Sequence, residues 1–208
     1  MSDEILKFFV LFFVVVEPIT LVPLFAALTE GADEAFRRRM AAKAVFVAGL
    51  VLLLFAVGGA WFLKVMGISV DAFRIAGGIM LFLIALEMVF ARESGTRTTP
   101  EEKDESRKRA DISVFPLAFP FIAGPGSIAI VLLTFGASRS DLVLSAGLFG
   151  AVLAVLAITY LLMRLTPLVM RVMGVTGGNV VNRLSGVVLA ALAVQFIITG
   201  VTNAFPPG

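Results

Sequence analysis

A long apolar segment in the second half of the chain is interrupted by three prolines and two glycines. It reads Phe115-Pro-Leu-Ala-Phe-Pro-Phe-Ile-Ala-Gly-Pro-Gly-Ser127. Because a proline lacks an N–H and its ring crowds the carbonyl four residues earlier, a regular helix cannot run through this segment. In hydrocarbon, such backbone is tolerated only where it is buried in protein or lines a cavity. The segment therefore predicts a broken helix beside an internal site.

The composition places this segment in a membrane protein. The 208 residues are 59% apolar and 15% charged, and the mean hydropathy is +1.02, whereas soluble domains have about 25% charged residues. A spanning helix needs about 20 residues, and six apolar segments are long enough: 5–28, 42–65, 72–91, 112–135, 142–165 and 180–201. We predict an all-α membrane protein with six transmembrane helices.

The chain contains an internal duplication, which is the signature of a repeat architecture. Three landmarks recur in the same order at nearly one offset: Glu17-Pro18-Ile19-Thr20 as Gly124-Pro125-Gly126-Ser127, Val65-Met-Gly-Ile68 as Val172-Met-Gly-Val175, and Arg74-Ile-Ala-Gly77 as Arg183-Leu-Ser-Gly186. We predict a first three-helix repeat over 1–91, a charged linker over 92–111 and a second three-helix repeat over 112–208. Helices one and four would both be broken.

The basic residues set the expected orientation. Most of them follow helices one, three and five: Arg37, Arg38, Arg39, Lys43, Arg92, Arg97, Lys103, Arg107, Lys108, Arg109, Arg164, Arg171 and Arg183. By the positive-inside rule, loops 1, 3 and 5 are cytoplasmic and both termini lie outside. Since each repeat has three helices, the two repeats are expected to be inverted relative to each other in the membrane.

The two breaks are expected to form one site at the membrane midplane. Pro18 and Pro125 can each occupy the first position of a half-helix, where a missing N–H costs nothing. The amides that follow would be free donors at the positive end of a helix dipole, which attracts a carboxylate. These amides belong to Ile19, Thr20 and Leu21 on one side, and to Gly126, Ser127 and Ile128 on the other. The alternative is a pair of ordinary proline kinks.

Glu17 is an ionisable residue in the middle of the first apolar segment. A charged side chain at the bilayer centre costs about 2.5 kcal/mol or more and marks a functional position by default. It could hold a substrate ammonium or carry a coupling proton, and the alternative is a structural ion pair. In helix six, Gln195 is a candidate polar residue of the site, with interhelical hydrogen bonding as the alternative.

Catalysis is not expected. The chain has no Cys and no His, which removes thiol chemistry, the commonest general base and the commonest metal ligand. Ser127 therefore has no imidazole base. No cofactor or metal is expected. No nucleic-acid partner is expected either, because the basic residues are explained by membrane orientation.

The sequence resembles the MarC family of integral membrane proteins, within the LysE-type transporter superfamily. The resemblance covers nearly the whole chain and rests on the segment 115–127, on Arg74-Ile-Ala-Gly-Gly-Ile-Met-Leu-Phe-Leu-Ile-Ala-Leu86, and on Arg183-Leu-Ser-Gly186 through Ala193-Val-Gln-Phe-Ile197. It implies a six-helix inner-membrane protein, similar to members described as transporters of small neutral amino acids such as glycine and alanine. The family usually shows Asp-Pro followed by Gly-Asn where this chain has Glu17-Pro18-Ile19-Thr20.

Together these features predict a secondary transporter of a small neutral amino acid. The half-helix amides would bind the carboxylate, Glu17 would bind the ammonium or a coupling ion, either proton or sodium, and the repeats would rock to alternate access. The alternative is a cation or other small-solute exporter or channel that uses Glu17. An oligomer in the bilayer is compatible with either.

The predicted orientation is testable by labelling cysteines introduced into this cysteine-free chain. We expect cysteines at Ser2 and Pro207 to react with an impermeant reagent from outside, and cysteines at Arg38 and Ser94 to react only from inside. Labelling of Ser2→Cys and Arg38→Cys from the same side would contradict the inverted arrangement.

Overall fold

The computed structural model describes residues 2–90, 111–138 and 141–205, with the side chains of 173–176 and 179 left aside. Eight helical segments follow one another, and no strand occurs in these ranges: α1 Ser2–Val16, α2 Leu21–Leu28, α3 Glu34–Val65, α4 Val70–Phe90, α5 Ser113–Ile122, α6 Pro125–Ala137, α7 Leu142–Arg164 and α8 Thr166–Ala204. The predicted linker 92–111 lies outside the described residues except for its last residue, Asp111.

The helices have the length and composition of membrane spans. Five stretches qualify among the described residues, and the α5–α6 pair, bent by 57°, makes a sixth if counted as one: Ser2–Leu28, Glu34–Val65, Val70–Phe90, Leu142–Arg164 and Val180–Ala204. Each overlaps one of the six segments predicted from hydropathy. The prediction of an all-helical, multi-pass membrane protein is therefore confirmed.

Polar residues define several helix ends. The Asp33 carboxylate accepts from the Phe36 amide at 2.6 Å at the start of α3. Asp141 does the same for Leu144 at 2.9 Å at the start of α7. Such caps satisfy amides that a helix leaves without partners. The turn after α3 contains Gly67 at φ +69°, a left-handed conformation that glycine adopts without strain.

The proline-rich segment is irregular, as its sequence requires. Within α5, Phe115 and Phe119 have extended backbone angles, with φ of −128° and −127°. The Leu117 amide donates to the Ile112 carbonyl at 3.4 Å, and the Ala123 amide donates to Ala118 at 2.8 Å. These bonds join residues five apart rather than four, so the carbonyl of Ile112 finds a later partner than in an α-helix.

Helix α8 differs from the prediction. A loop was expected after helix five, with helix six over 180–201, but only Leu165 separates α7 from a continuous helix of 39 residues. Pro167 lies in the first turn of α8, where it is compatible with a helix. Gly177 and Gly178 lie within this helix, where each costs about 1 kcal/mol relative to alanine but keeps its N–H group. Arg171 and Arg183 therefore lie on a helix.

The two halves of the chain interlock. Helix α1 packs on α7, and α3 packs on α5, α6 and α7. Helix α4 packs on α6 and most extensively on α8, and α2 also packs on α8. Each of these contacts joins an element of the first half to one of the second.

Glycines allow the closest of these approaches. A Cβ at Gly77 would lie 2.8 Å from the Cβ of Ala129 on α6, and one at Gly78 would lie 2.8 Å from the Ala193 carbonyl on α8. Gly59 and Gly186 are similarly confined by Leu132 and by Met88. These glycines therefore permit close helix contact. Gly58 does not take part in such a contact, since a Cβ there would meet nothing within 4 Å.

Gly77 and Gly58 form a matched pair for a stability test. Gly77→Ala should destabilise the protein by about 1–3 kcal/mol, because the new methyl overlaps Ala129 in a packed interface. Gly58→Ala should be neutral or stabilising by up to about 1 kcal/mol, through helix propensity alone. Thermal unfolding in detergent measures both, and an equal effect of the two changes would contradict the packing role of Gly77.

Candidate functional site

The first break separates α1 from α2 at Glu17. Pro18 offers no N–H to the carbonyl of Val14, and it disfavours the helical conformation in the residue before it. Glu17 adopts φ +54°, a left-handed angle uncommon for residues other than glycine and typical of functional or strained positions. Its amide still donates to Phe13 at 3.0 Å. Helix α1 therefore ends at Val16, and the helix resumes at Leu21 as α2.

The carboxylate of Glu17 is enclosed by protein. The residue is 6% exposed, and the Thr20 hydroxyl lies 3.0 Å from both the Glu17 Oε2 and the Glu17 carbonyl oxygen. One hydroxyl proton can be donated to one of these oxygens at a time. The break therefore brings together three oxygen atoms, one of which belongs to the buried carboxylate.

One of the amides expected to be free at this break is bonded. The Leu21 amide donates to the Glu17 carbonyl at 3.1 Å, so the prediction is wrong for Leu21. This bond closes one helical turn across the break, which removes a donor from the first turn of α2. The Ile19 and Thr20 amides have no acceptor among the residues described.

The second break leaves the start of α6 uncapped. Pro125 occupies the first turn, and no side chain accepts from the amides that follow. The Ile128 amide donates to the Gly124 carbonyl at 2.9 Å, so Ile128 is not free as predicted. Gly126 and Ser127 remain in the first turn, where amides lack intrahelical acceptors and carry partial positive charge. Ser127 is 2% exposed.

The two breaks are neighbours in the structure. A Cβ on Gly126 would lie 3.2 Å from Val15 Cγ1 and would overlap the side chain of Leu81 on α4. Val15 precedes Glu17 by two residues, so the end of α1 adjoins the first turn of α6. Gly124 is confined in turn, because a Cβ there would collide with the Pro120 carbonyl. The glycines therefore allow backbone segments to meet at the site.

The sequence-predicted site residues fall into two groups. Glu17, Pro18, Gly124, Gly126 and Ser127 are buried at the two breaks, and Ile19, Thr20 and Pro125 are partly buried there. Gln195 is exposed on α8, and its Nε2 lies 3.2 Å from Thr199 Oγ1 one turn further along the same helix. This amide thus makes an intrahelical contact.

The described residues contain no group of three or more His, Cys, Asp or Glu side chains placed to hold a metal ion. Glu17 is the acid at the breaks. Any cation bound there would be held by one carboxylate together with carbonyl and hydroxyl oxygens.

A cluster of ion pairs that the sequence did not reveal ties helices together near the start of α3. Lys43 on α3 pairs with Asp111, just before α5. Asp111 also accepts from the Ser113 amide at 2.9 Å. At the same end, Arg164 at the end of α7 lies 2.9 Å from Glu34. The sequence shows where the charged residues lie along the chain, but it did not indicate that Lys43 pairs with Asp111 or Arg164 with Glu34.

The Lys43 pair changes the acidity of Asp111. Hydrogen bonds from Lys43 and then from Ser113 lower the pKa of Asp111 from 3.8 to about 2. Because this pKa is depressed in the folded protein, ionised Asp111 stabilises it above pH 3.8, and the stabilisation is lost as the pH falls toward 2.

Asp111→Asn should therefore lower the thermal unfolding temperature at neutral pH. The difference in unfolding temperature between this variant and the parent protein should shrink as the pH falls from 3.8 to 2. Since the side chains of Lys43 and Asp111 are 47% and 42% exposed, the loss should stay below about 1 kcal/mol. Adding Lys43→Gln to Asp111→Asn should cost little more. Fully additive losses would show that the two residues do not act as a pair.

Comparison with known proteins gives a consistent set of relatives. A sequence model described as "MarC family integral membrane protein" matches residues 2–205. The chain is 38% identical to the UPF0056 membrane protein YvbG of Bacillus subtilis, over 99% of this chain and 98% of that protein. It is 34% identical to UPF0056 membrane protein YhcE of Escherichia coli, over 96% of this chain and 93% of that protein.

An archaeal relative extends the comparison. The UPF0056 membrane protein MJ1677 of Methanocaldococcus jannaschii is 37% identical, over 96% of this chain and 98% of that protein. No solved structure matches the chain. The residues matched span all eight helical segments, including both breaks. The chain therefore belongs to the MarC family of integral membrane proteins.

Proposed function

We propose that this protein is a secondary transporter of a small neutral amino acid of the glycine or alanine type, coupled to a proton or a sodium ion. The observation that supports this most directly is that the end of α1, which carries the buried Glu17, adjoins the uncapped first turn of α6 through Val15 and Gly126. A zwitterion carries opposite charges a few bonds apart. The site offers an acid and a set of amide donors at neighbouring positions.

The binding mode follows from the charges. The substrate ammonium lies against Glu17 and the freed carbonyls of the first break. The carboxylate accepts from the Gly126 and Ser127 amides, at the positive end of the α6 dipole. Paired half-helices of this kind are how many secondary transporters build a site between repeats. Small substrates suit a site whose walls include Val15 and Leu81 within contact distance of Gly126.

The packing of the helices supports two inverted three-helix repeats. If the first half corresponds to the second, the contact of α1 with α7 corresponds to the contacts of α3 with α5 and α6. The contact of α4 with α6 then corresponds to that of α8 with α1 and α2. The contacts of α4 with α8 and of α3 with α7 each join two equivalent helices, so exchanging the halves leaves them unchanged. Two equivalent halves give two equivalent ways of opening, which alternating access requires.

Burial of the site fits a transporter better than an open channel. Glu17 and Ser127 are 6% and 2% exposed, so solvent reaches the site only after helices move. In the proposed orientation, in the inner membrane with both termini outside, the Lys43–Asp111 and Glu34–Arg164 pairs lie on the cytoplasmic side. They would hold that side closed until substrate or the coupling ion shifts the balance.

The runner-up is a cation or other small-solute exporter or channel centred on Glu17. It is favoured by the Thr20 hydroxyl oxygen, which lies 3.0 Å from both the Glu17 Oε2 and the Glu17 carbonyl oxygen. Such oxygens suit a monovalent cation or a proton. Divalent ions prefer several carboxylates, and these are lacking among the described residues.

Glu17→Gln tests the central residue. With the protein in liposomes, this variant should fold and should lose at least about tenfold in glycine or alanine uptake, because the ammonium and the coupling ion lose their charge partner. Glu87→Gln is the matched control, since Glu87 is a partly buried acid on α4, six residues or about 9 Å along the helix from Leu81, which contacts the second break. Equal uptake by parent and Glu17→Gln would refute the proposed role.

The same liposomes separate the two candidate functions. Glycine should compete for uptake far better than glycinamide, which keeps the ammonium but lacks the carboxylate that the α6 amides would bind. Pro125→Ala, which restores an N–H at the break, should reduce this preference. Equal competition by the acid and the amide, together with cation flux lost in Glu17→Gln, would instead favour the cation pathway.

A further inference from the structure

A long apolar groove runs along the outside of the molecule between α3 and α7. Its volume is about 780 Å³, and its floor is Val131 of α6. Its walls include Ala42, Gly49 and Leu53 on α3, and Leu153 on α7. It lies apart from both breaks and takes no part in the proposed transport site.

The groove has the length of one lipid acyl chain. Its lining on α3 extends from Ala42 to Ala56, which at 1.5 Å per residue is about 21 Å. Its lining on α7 extends from Phe149 to Tyr160, or about 16 Å. One leaflet of the hydrocarbon core is about 15 Å deep. A chain lying in the groove would therefore be covered over most of its length.

The surroundings of the groove are apolar. Phe46 on one rim is 72% exposed and Leu153 on the other is 65% exposed, and both belong to helices with the composition of membrane spans. Protein interiors pack closely and leave few voids, so a groove of this size is expected to be filled. Among the described lining residues, the hydroxyl of Tyr160 is the polar side-chain group. Water gains little in such a groove, so hydrocarbon is the occupant that matches it.

One end of the groove is basic. The Glu34–Arg164 pair and the 3.2 Å approach of a Cβ at Gly49 to Leu156 show that α3 and α7 run antiparallel. Ala42 and Tyr160 therefore lie at the same end. Arg38 and Arg39 are exposed one turn before Ala42 on the same face of α3. Such residues attract anionic lipid head groups, at about 1 kcal/mol for each basic side chain near the surface.

We propose that the α3–α7 groove binds one acyl chain of an anionic phospholipid, with its phosphate against Arg38 and Arg39. A second copy of the chain fits less well. A two-fold interface places the same patch of both subunits together, so the basic ends of two grooves would face one another. A phosphate neutralises this end, whereas a second copy doubles its charge.

The test measures the thermal unfolding temperature of the purified protein in detergent as lipid is added. Phosphatidylglycerol should raise it more than phosphatidylcholine with the same acyl chains, and glycerol phosphate alone should leave it unchanged. The last comparison separates a lipid from a free phosphate. An equal shift with glycerol phosphate would overturn the acyl-chain site.

Two alanines on α7 provide a matched pair of variants. Ala157 is exposed and lines the groove, while Ala154, three residues earlier, is exposed outside it. Ala157→Phe should fill the groove and weaken apparent phosphatidylglycerol affinity at least about tenfold, whereas Ala154→Phe should not. If Ala157→Phe unfolds, Ala42→Phe blocks the mouth of the same groove from α3.

The head-group contact is tested separately. Replacing Arg38 and Arg39 by glutamine should bring the phosphatidylglycerol shift down to that of phosphatidylcholine, with the acyl-chain contribution kept. Equal lipid responses of Ala157→Phe and Ala154→Phe would overturn the proposal. So would a change from dimer to monomer on Ala157→Phe with unchanged lipid shifts, which would identify a second copy as the occupant.

Discussion

The structure depends on the pairing of backbone polar groups at two interrupted helices. In hydrocarbon, an unpaired N–H or C=O costs several kcal/mol, so an interruption survives only when other parts of the protein enclose it. Here each interruption helps to enclose the other, because Val15 at the end of α1 adjoins Gly126 in the first turn of α6. Leu81 of α4 completes this contact. The arrangement of α1, α4 and α6 follows from this requirement.

The interlocked halves are a second consequence. Helix α1 finds its main partner in α7, and α3 finds its partners in α5, α6 and α7. The packing between α1 and α3, which a compact three-helix unit would need, is minor beside these contacts. Burial of apolar surface therefore depends on both halves being present. Two halves that pack in this way are stable only when they fold together.

Sequence reasoning succeeded where a residue type has one dominant physical effect. Hydropathy located the spans, and the prolines lie where the helical backbone becomes irregular. Glu17, singled out because a buried acid is costly, is 6% exposed. Sequence reasoning failed where the position of a helix end or a side chain is set by contacts with distant parts of the chain. A loop was expected between the segments 142–165 and 180–201, yet α8 runs without interruption from Thr166 to Ala204. The pairing of Lys43 with Asp111, 68 residues apart, and the outward orientation of Gln195 depend on tertiary packing, which local sequence does not encode.

The length of α8 has a mechanical consequence. Its 39 residues extend about 58 Å, whereas the hydrocarbon core is about 30 Å thick. Its apolar span is the part from Val180 to Ala204, and that part lies against α4 and includes Gly200 beside the Asp71 carbonyl. The preceding turns continue the same helix back to Leu165, which joins it to α7. A rotation of the span would therefore move the far end of α8 by a larger distance than the apolar part itself.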